Sequence, residues 1–196
     1  MVIAAAVLGL VGFIALGFIS RATVKSYACG QVFQPASVPA DGVEMPDMGH
    51  LHVAVGTKIT YATCPPSSGP HYAAAGAGPI RPGFYGPDAK AEPGGWVHDL
   101  EHGYIVVLYR GDIGSTDLQA VQRFVDSAPS TPTAHACGYR AKIIVARFDD
   151  MATPFSVLAW DHLLPLKTWD ANAALAFAQR WVEAAAAAAR REPNSC

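Results

Sequence analysis

The sequence predicts an α+β fold: one N-terminal transmembrane helix, then a single small mixed-sheet domain with long Pro/Gly-rich loops. Three observations carry this. Val2 to Ile19 is a run of 18 residues without a charge. Residues 30–95 hold 10 of the 15 prolines and 11 of the 18 glycines, which excludes a mostly helical or central-sheet stretch. Beyond residue 96 the pattern becomes regular, in the order strand, helix, strand, strand, helix, as in an α+β domain with a small sheet.

Taken in order, the first element is an anchor over residues 1–25. As a helix, its apolar run spans about 27 Å at a rise of about 1.5 Å per residue, close to the ~30 Å hydrocarbon core of a bilayer. A cleaved signal peptide would carry a positive charge before its apolar core, and none precedes this one. Arg21 and Lys25 follow the run, a weak vote for a cytoplasmic domain. Four cysteines vote the other way, since disulfides form in oxidising compartments. The expected placement is a single-pass inner-membrane protein with residues 26–196 in the periplasm or outside the cell.

Within that domain, residues 30–95 form the irregular half. His52–Val55 and Lys58–Tyr61 alternate around Gly56-Thr57, which predicts a hairpin. In the regular half, 96–196, the β-branched run Tyr104–Arg110 predicts a buried strand. Asp117–Ser127 places Leu118, Val121, Phe124 and Val125 on one helical face, with Ser115 or Thr116 as cap. Lys142–Phe148 and Phe155–Trp160 predict two further strands. Alanine-rich Ala171–Arg191 predicts a helix capped by Asp170, with Arg190 and Arg191 at its end. Cys29, Cys64 and Cys137 are the expected disulfide members, ahead of Cys196 on the chain end; four cysteines allow three pairings.

Sixteen acidic against fourteen basic residues give a net charge of −2, so no basic surplus exists for a nucleic-acid partner. The chemistry-bearing residues are histidines, five of seven lying between residues 50 and 102. In His98-Asp-Leu-Glu-His102, a spacing of four sets two imidazoles on one helical face, suited to a shared metal ion. The string also matches H-x-x-E-H, the inverted zinc-peptidase motif with Glu101 as base. Gly94-Gly95 before it and Gly103 after it leave room for barely two turns of helix, too short for that machinery. Met45, Met48, His50 and His52 form a second, softer set suited to copper, or else a gap-filling and strand-flanking one. In Cys64-Pro-Pro-Ser-Ser-Gly-Pro-His71, three prolines and a glycine set the path of a loop and so the position of His71.

The strings YATCPPSSGPHY, GFYG and WVHDLEHGYIVVLY resemble the bacterial family known as domain of unknown function thirty-one-oh-five. Its pattern is a Pro-Pro-Thr-Ser-Gly-x-His loop, a Gly-x-Tyr, and a Val-His-x-Leu-Glu-His-Gly helix running into a strand. The chain carries it at Pro65, Pro66, Ser68, Gly69, His71, Gly83, Tyr85, Val97, His98, Leu100, Glu101, His102 and Gly103, and departs from it at Ser67, where the family has Thr. The resemblance covers roughly residues 50–165. It implies a membrane-anchored or exported α+β domain with His71, His98, Glu101 and His102 as the shared site, and it implies no activity.

The expected function is that of a non-catalytic accessory subunit of a larger bacterial membrane complex, of respiratory or photosynthetic type, touching lipid and other integral membrane subunits through the anchor and its Pro/Gly-rich half. The alternative is an exported domain that binds copper or zinc through a histidine cluster. A peptidase is the remote third reading.

Overall fold

The computed structural model describes residues 25–184, 192, 193 and 196. The expected anchor, residues 1–24 of it, lies outside them, and among the described residues no helix is long and apolar enough to cross a membrane. The elements are β1 (Tyr27–Val32), β2 (Val43–Glu44), β3 (His52–Val53), β4 (Ile59–Cys64), β5 (His71–Tyr72), β6 (Gly83–Phe84), α1 (Pro93–Glu101), β7 (Ile105–Tyr109), α2 (Ser115–Ser127), α3 (Pro132–Ala136), β8 (Ile143–Arg147), β9 (Phe155–Ala159), β10 (His162–Leu166) and α4 (Ala171–Trp181). They make an α+β domain on a mixed six-stranded sheet of order β2-β10-β9-β7-β8-β6. β6, β8 and β7 run parallel; β9, β10 and β2 alternate antiparallel.

The β-branched run of β7 is continuous because both sheet faces are covered. Val106 and Leu108, with Ile144, Leu158 and Leu163, face Trp96, Val97 and Leu100 of α1 and the residues of the irregular half. Ile105, Val107 and Tyr109, with Ile143, Val145 and Val157, face Val121 and Phe124 of α2 and Ala174 and Phe177 of α4. Period-two alternation thus divides one apolar strand between two cores. Asp170 caps α4 as expected, its Oδ1 accepting the N–H groups of Asn172 and Ala173 at 3.0 Å. For α2 the expected side-chain cap is absent: Ser115 is already helical, and Gly114 holds the cap position without a side-chain hydrogen bond.

Four local expectations change. The hairpin around Gly56-Thr57 does not form. The turn is there, closed by Thr57 N–H to the Ala54 carbonyl at 3.0 Å, with Gly56 at φ +87°. Its two arms, however, pair elsewhere and in parallel: β3 with β5, and β4 with β1. β10 was hidden by Pro165. It is a strand nonetheless, because β2 pairs only with His162 and Leu163, leaving Pro165 on an open edge where no N–H is required. α4 ends at Trp181, although alanine favours continuing. Glu183 turns to φ +51°, gives its N–H to the Gly103 carbonyl at 3.0 Å, and sets its carboxylate 2.9 Å from buried Lys142. Residues 185–191 of the expected helix lie outside the described residues. Finally, Cys196 is a bridge member after all: the disulfides are Cys29–Cys64 and Cys137–Cys196.

Candidate metal centre

Every residue of α1 is buried, including His98, Asp99 and Glu101. Polar and ionisable side chains are rarely so enclosed without a dedicated partner. The helix fits this space because its first turn is glycine: Gly94 and Gly95 lie inside α1, not before it as the sequence suggested. A Cβ on Gly95 would meet the Ala77 carbonyl oxygen at 2.6 Å and Ile80 Cγ2 at 2.8 Å. An alanine in a free helix gains about 1 kcal/mol over glycine. Here Gly95→Ala is expected to lose about 1–3 kcal/mol, the ordinary cost of overpacking. A urea midpoint that rises instead would show that α1 does not rest on the 77–80 backbone.

α1 closes with His102 at its C-cap, and Gly103 at φ +82° turns the chain into β7. His98 and His102, one turn apart, hold their ring centroids 4.8 Å from each other. The Lys142 ammonium donates to the His102 carbonyl at 3.0 Å, satisfying one acceptor at this helix end. The second pair of histidines comes from the parallel pairing of β3 and β5, which sets His52 directly opposite His71. Neighbours on one face of adjacent strands lie a strand spacing apart, and these ring centroids are 4.8 Å apart. His71 in turn lies 4.8 Å from His98, and His52 stacks on His98 at 5.1 Å. Imidazoles from the irregular half and from α1 therefore meet.

Their protonation follows from their partners. The ring Nδ1 of His71 is 2.8 Å from the Gly69 carbonyl, that of His98 2.6 Å from the Tyr72 carbonyl, and that of His102 3.1 Å from the Pro193 carbonyl. A carbonyl only accepts, so each Nδ1 carries the proton, and in a neutral ring each Nε2 is a lone pair. The Nε2 atoms of His98 and His102 face each other at 3.0 Å. His71 Nε2 faces Glu101 Oε2 at 2.9 Å, yet neither atom completes an aligned hydrogen bond. Glu101 Oε2 also lies 3.6 Å from His52 Nε2, and Oε1 lies 3.5 Å from His50 Nδ1. Burial pushes the Glu101 carboxyl up, but the facing imidazoles, His71 first and then His50 and His52, outweigh it and hold the group below its ordinary value. Burial likewise holds His98 below the ordinary histidine value, against the pull of its bond to Tyr72. Asp99 behaves oppositely: burial raises its carboxyl well above the usual range, although Oδ2 accepts the Ile80 N–H at 2.9 Å.

Of the residues expected from sequence, His71, His98, Glu101 and His102 come together. The softer set divides. His50 and His52 turn to Glu101, whereas Met45 is buried in the core and Met48 packs against it. Glu192 joins the cluster without any sequence signal, its Oε2 3.6 Å from His102 Nε2 and its Oε1 3.8 Å from His52 Nε2. Three sets of potential metal donors result, each with its ligand atoms within 4.8 Å of one another: His52, His71 and His98; His98, His102 and Glu192; His52, Glu101 and Glu192. Glu101 itself is fully buried and turned to His50, His52 and His71, so it does not stand as a solvent-facing base beside a His98–His102 ion, as the peptidase reading requires.

Fold and site together define a small disulfide-bonded α+β domain organised around a buried histidine–carboxylate cluster. The chain belongs to the family described as protein of unknown function (DUF3105), whose model matches residues 52–195 and so takes in His52, His71, His98, Glu101, His102 and Glu192. No curated protein and no solved structure matches the chain.

Proposed function

We propose that this protein is an exported, membrane-anchored metal-binding domain that holds zinc or copper(II) in the cluster of His52, His71, His98, Glu101 and His102. One observation carries the reading. Three buried imidazoles commit their Nδ1–H groups to backbone carbonyls and turn their Nε2 lone pairs inward, the orientation that partners outside the coordination sphere impose on metal-ligating histidines. With the rings neutral and no cation bound, lone pairs and a carboxylate oppose one another at 2.9–3.0 Å. Imidazole and carboxylate donors suit a borderline divalent ion. The two disulfides support an oxidising compartment, and the apolar run Val2–Ile19 supports tethering to the inner membrane. An accessory place in a larger membrane assembly is compatible with this reading.

The test is metal content. The full chain in mild detergent, loaded with zinc or copper(II) at pH 7.5 and dialysed, is expected to retain at least one ion per chain by elemental analysis. His71→Ala and His98→Ala, checked for folding by circular dichroism, are expected to weaken retention at least tenfold. No uptake of either metal by the folded protein overturns the reading. In that case an extra proton shared among the imidazoles holds the cluster as a hydrogen-bond network. Proteins that co-purify from the same detergent extract report on the assembly role.

A further inference from the structure

The cluster contains more donors than one ion takes. Zinc and copper(II) sites in proteins take roughly three or four side chains. Here six converge: His52, His71, His98, Glu101, His102 and Glu192. We propose that the centre is built for two adjacent metal ions, one held by His52, His71 and Glu101, the other by His98, His102 and Glu192. This rests on the metal-binding reading above and deepens it.

The division follows from the lone pairs. His98 has one to offer, at Nε2, because Nδ1 is bonded to the Tyr72 carbonyl. That Nε2 lies 3.0 Å from the Nε2 of His102, so His98 is assigned with His102. His71 and His52 are then left with Glu101, at 2.9 and 3.6 Å from its Oε2, and His52 and Glu101 form with Glu192 a donor set whose atoms all lie within 4.8 Å of one another. Two donors bound at about 2.05 Å to one ion lie about 2.9 Å apart at a right angle and about 3.3 Å apart at the tetrahedral angle. The separations here, 2.9, 3.0 and 3.6 Å, cluster around those edges. Glu192 spans the two sets: Oε2 lies 3.6 Å from His102, and Oε1 lies 3.8 Å from His52. Its two oxygens thus face different ions, the placement of a bridging carboxylate. Glu192 is kept there by its own segment. The next residue, Pro193, accepts the Nδ1–H of His102, and Cys196 is bonded to Cys137 just past α3. The first ion then has His52, His71, Glu101 and one Glu192 oxygen, and the second has His98, His102 and the other Glu192 oxygen, with a coordination position left on the second for water or an outside ligand.

The test is stoichiometry on the tag-free full chain. Zinc-loaded protein is expected to hold two ions per chain, and copper(II)-loaded protein to give a dipole-coupled signal in electron paramagnetic resonance. Glu192→Gln, a near-isosteric change at a half-exposed residue, is expected to lower the count to one by weakening the second ion at least tenfold, and to abolish the coupled signal. His52→Ala is expected to remove the other ion and leave the His98–His102 site filled. A wild-type count of one overturns the paired site and leaves the metal-binding reading standing. A count of two that Glu192→Gln does not alter, in number or in affinity, also overturns it. A wild-type count of zero overturns both.

Discussion

Zinc present at about a thousand times its dissociation constant is expected to stabilise the folded protein by about 4 kcal/mol. For a domain of this size that raises the melting temperature by roughly 8–16 °C. The gain is large because the site exists only in the folded chain. Its ligands come from β3, β5, α1 and the segment at Glu192, so no short piece of unfolded chain reproduces it. Calorimetry of the full chain at pH 7.5, with and without zinc and then with a chelator, reads the effect directly. His98→Ala is expected to shrink the response, since it removes the Nε2 donor that faces His102 at 3.0 Å. Acid is expected to shrink it too. Protons compete with the metal for the imidazole lone pairs, so the response falls as the pH is lowered. A melting temperature that neither zinc nor copper(II) moves would count against the metal-binding centre.

The parts of this site that can be read from sequence are those set by local periodicity. His98 and His102 share a helix face at any plausible helix boundary, and Glu101 between them is an ionisable group in an apolar string. Strand β7 and the Val121–Phe124 face of α2 are legible for the same reason. What escapes is whatever depends on non-local pairing. His52 meets His71 through two-residue parallel strands, and parallel pairing leaves no turn signature between its partners. The Gly56-Thr57 turn is genuine, yet a tight turn states only that the chain reverses, and here each arm found a stronger partner. Glu192 sits in a tail whose composition marks it as a frayed end; its place depends on the Cys137–Cys196 bridge and on His102. The end of α4 escapes because a buried Lys142 takes precedence over alanine's helix preference: leaving that ammonium without Glu183 would cost more than the few tenths of a kcal/mol that each further helical residue contributes.

Removing the Cys29–Cys64 bridge by paired serine substitutions is expected to destabilise the protein by about 4 kcal/mol. The bridge closes a 35-residue separation, for which the chain-entropy account gives a cost near that value. Domains of this kind hold about 5–15 kcal/mol in all, so the variant stands near its unfolding limit at 37 °C. The consequence reaches the centre as well. β1 and β4 pair in parallel from Tyr27–Ile59 to Val32–Cys64, and Cys64 opens directly into the rigid loop that ends at His71. That loop is held in turn by Tyr61, whose hydroxyl donates to the Pro70 carbonyl at 3.0 Å, and by the Gly69 N–H bonded to the Gly49 carbonyl at 2.7 Å. Loosening β4 therefore loosens the carbonyl of Gly69, which fixes the His71 tautomer. Metal affinity in the double-serine variant is expected to fall about tenfold even below its melting temperature, by analogy with the 10- to 100-fold losses seen when partners of metal-bound histidines are removed. Urea unfolding without reductant measures the first effect and metal titration of the folded fraction the second. A midpoint shift worth less than about 1 kcal/mol would mean that the unfolded chain is already compact across this loop. An affinity unchanged despite full destabilisation would place the hold on His71 in the β3–β5 pairing alone.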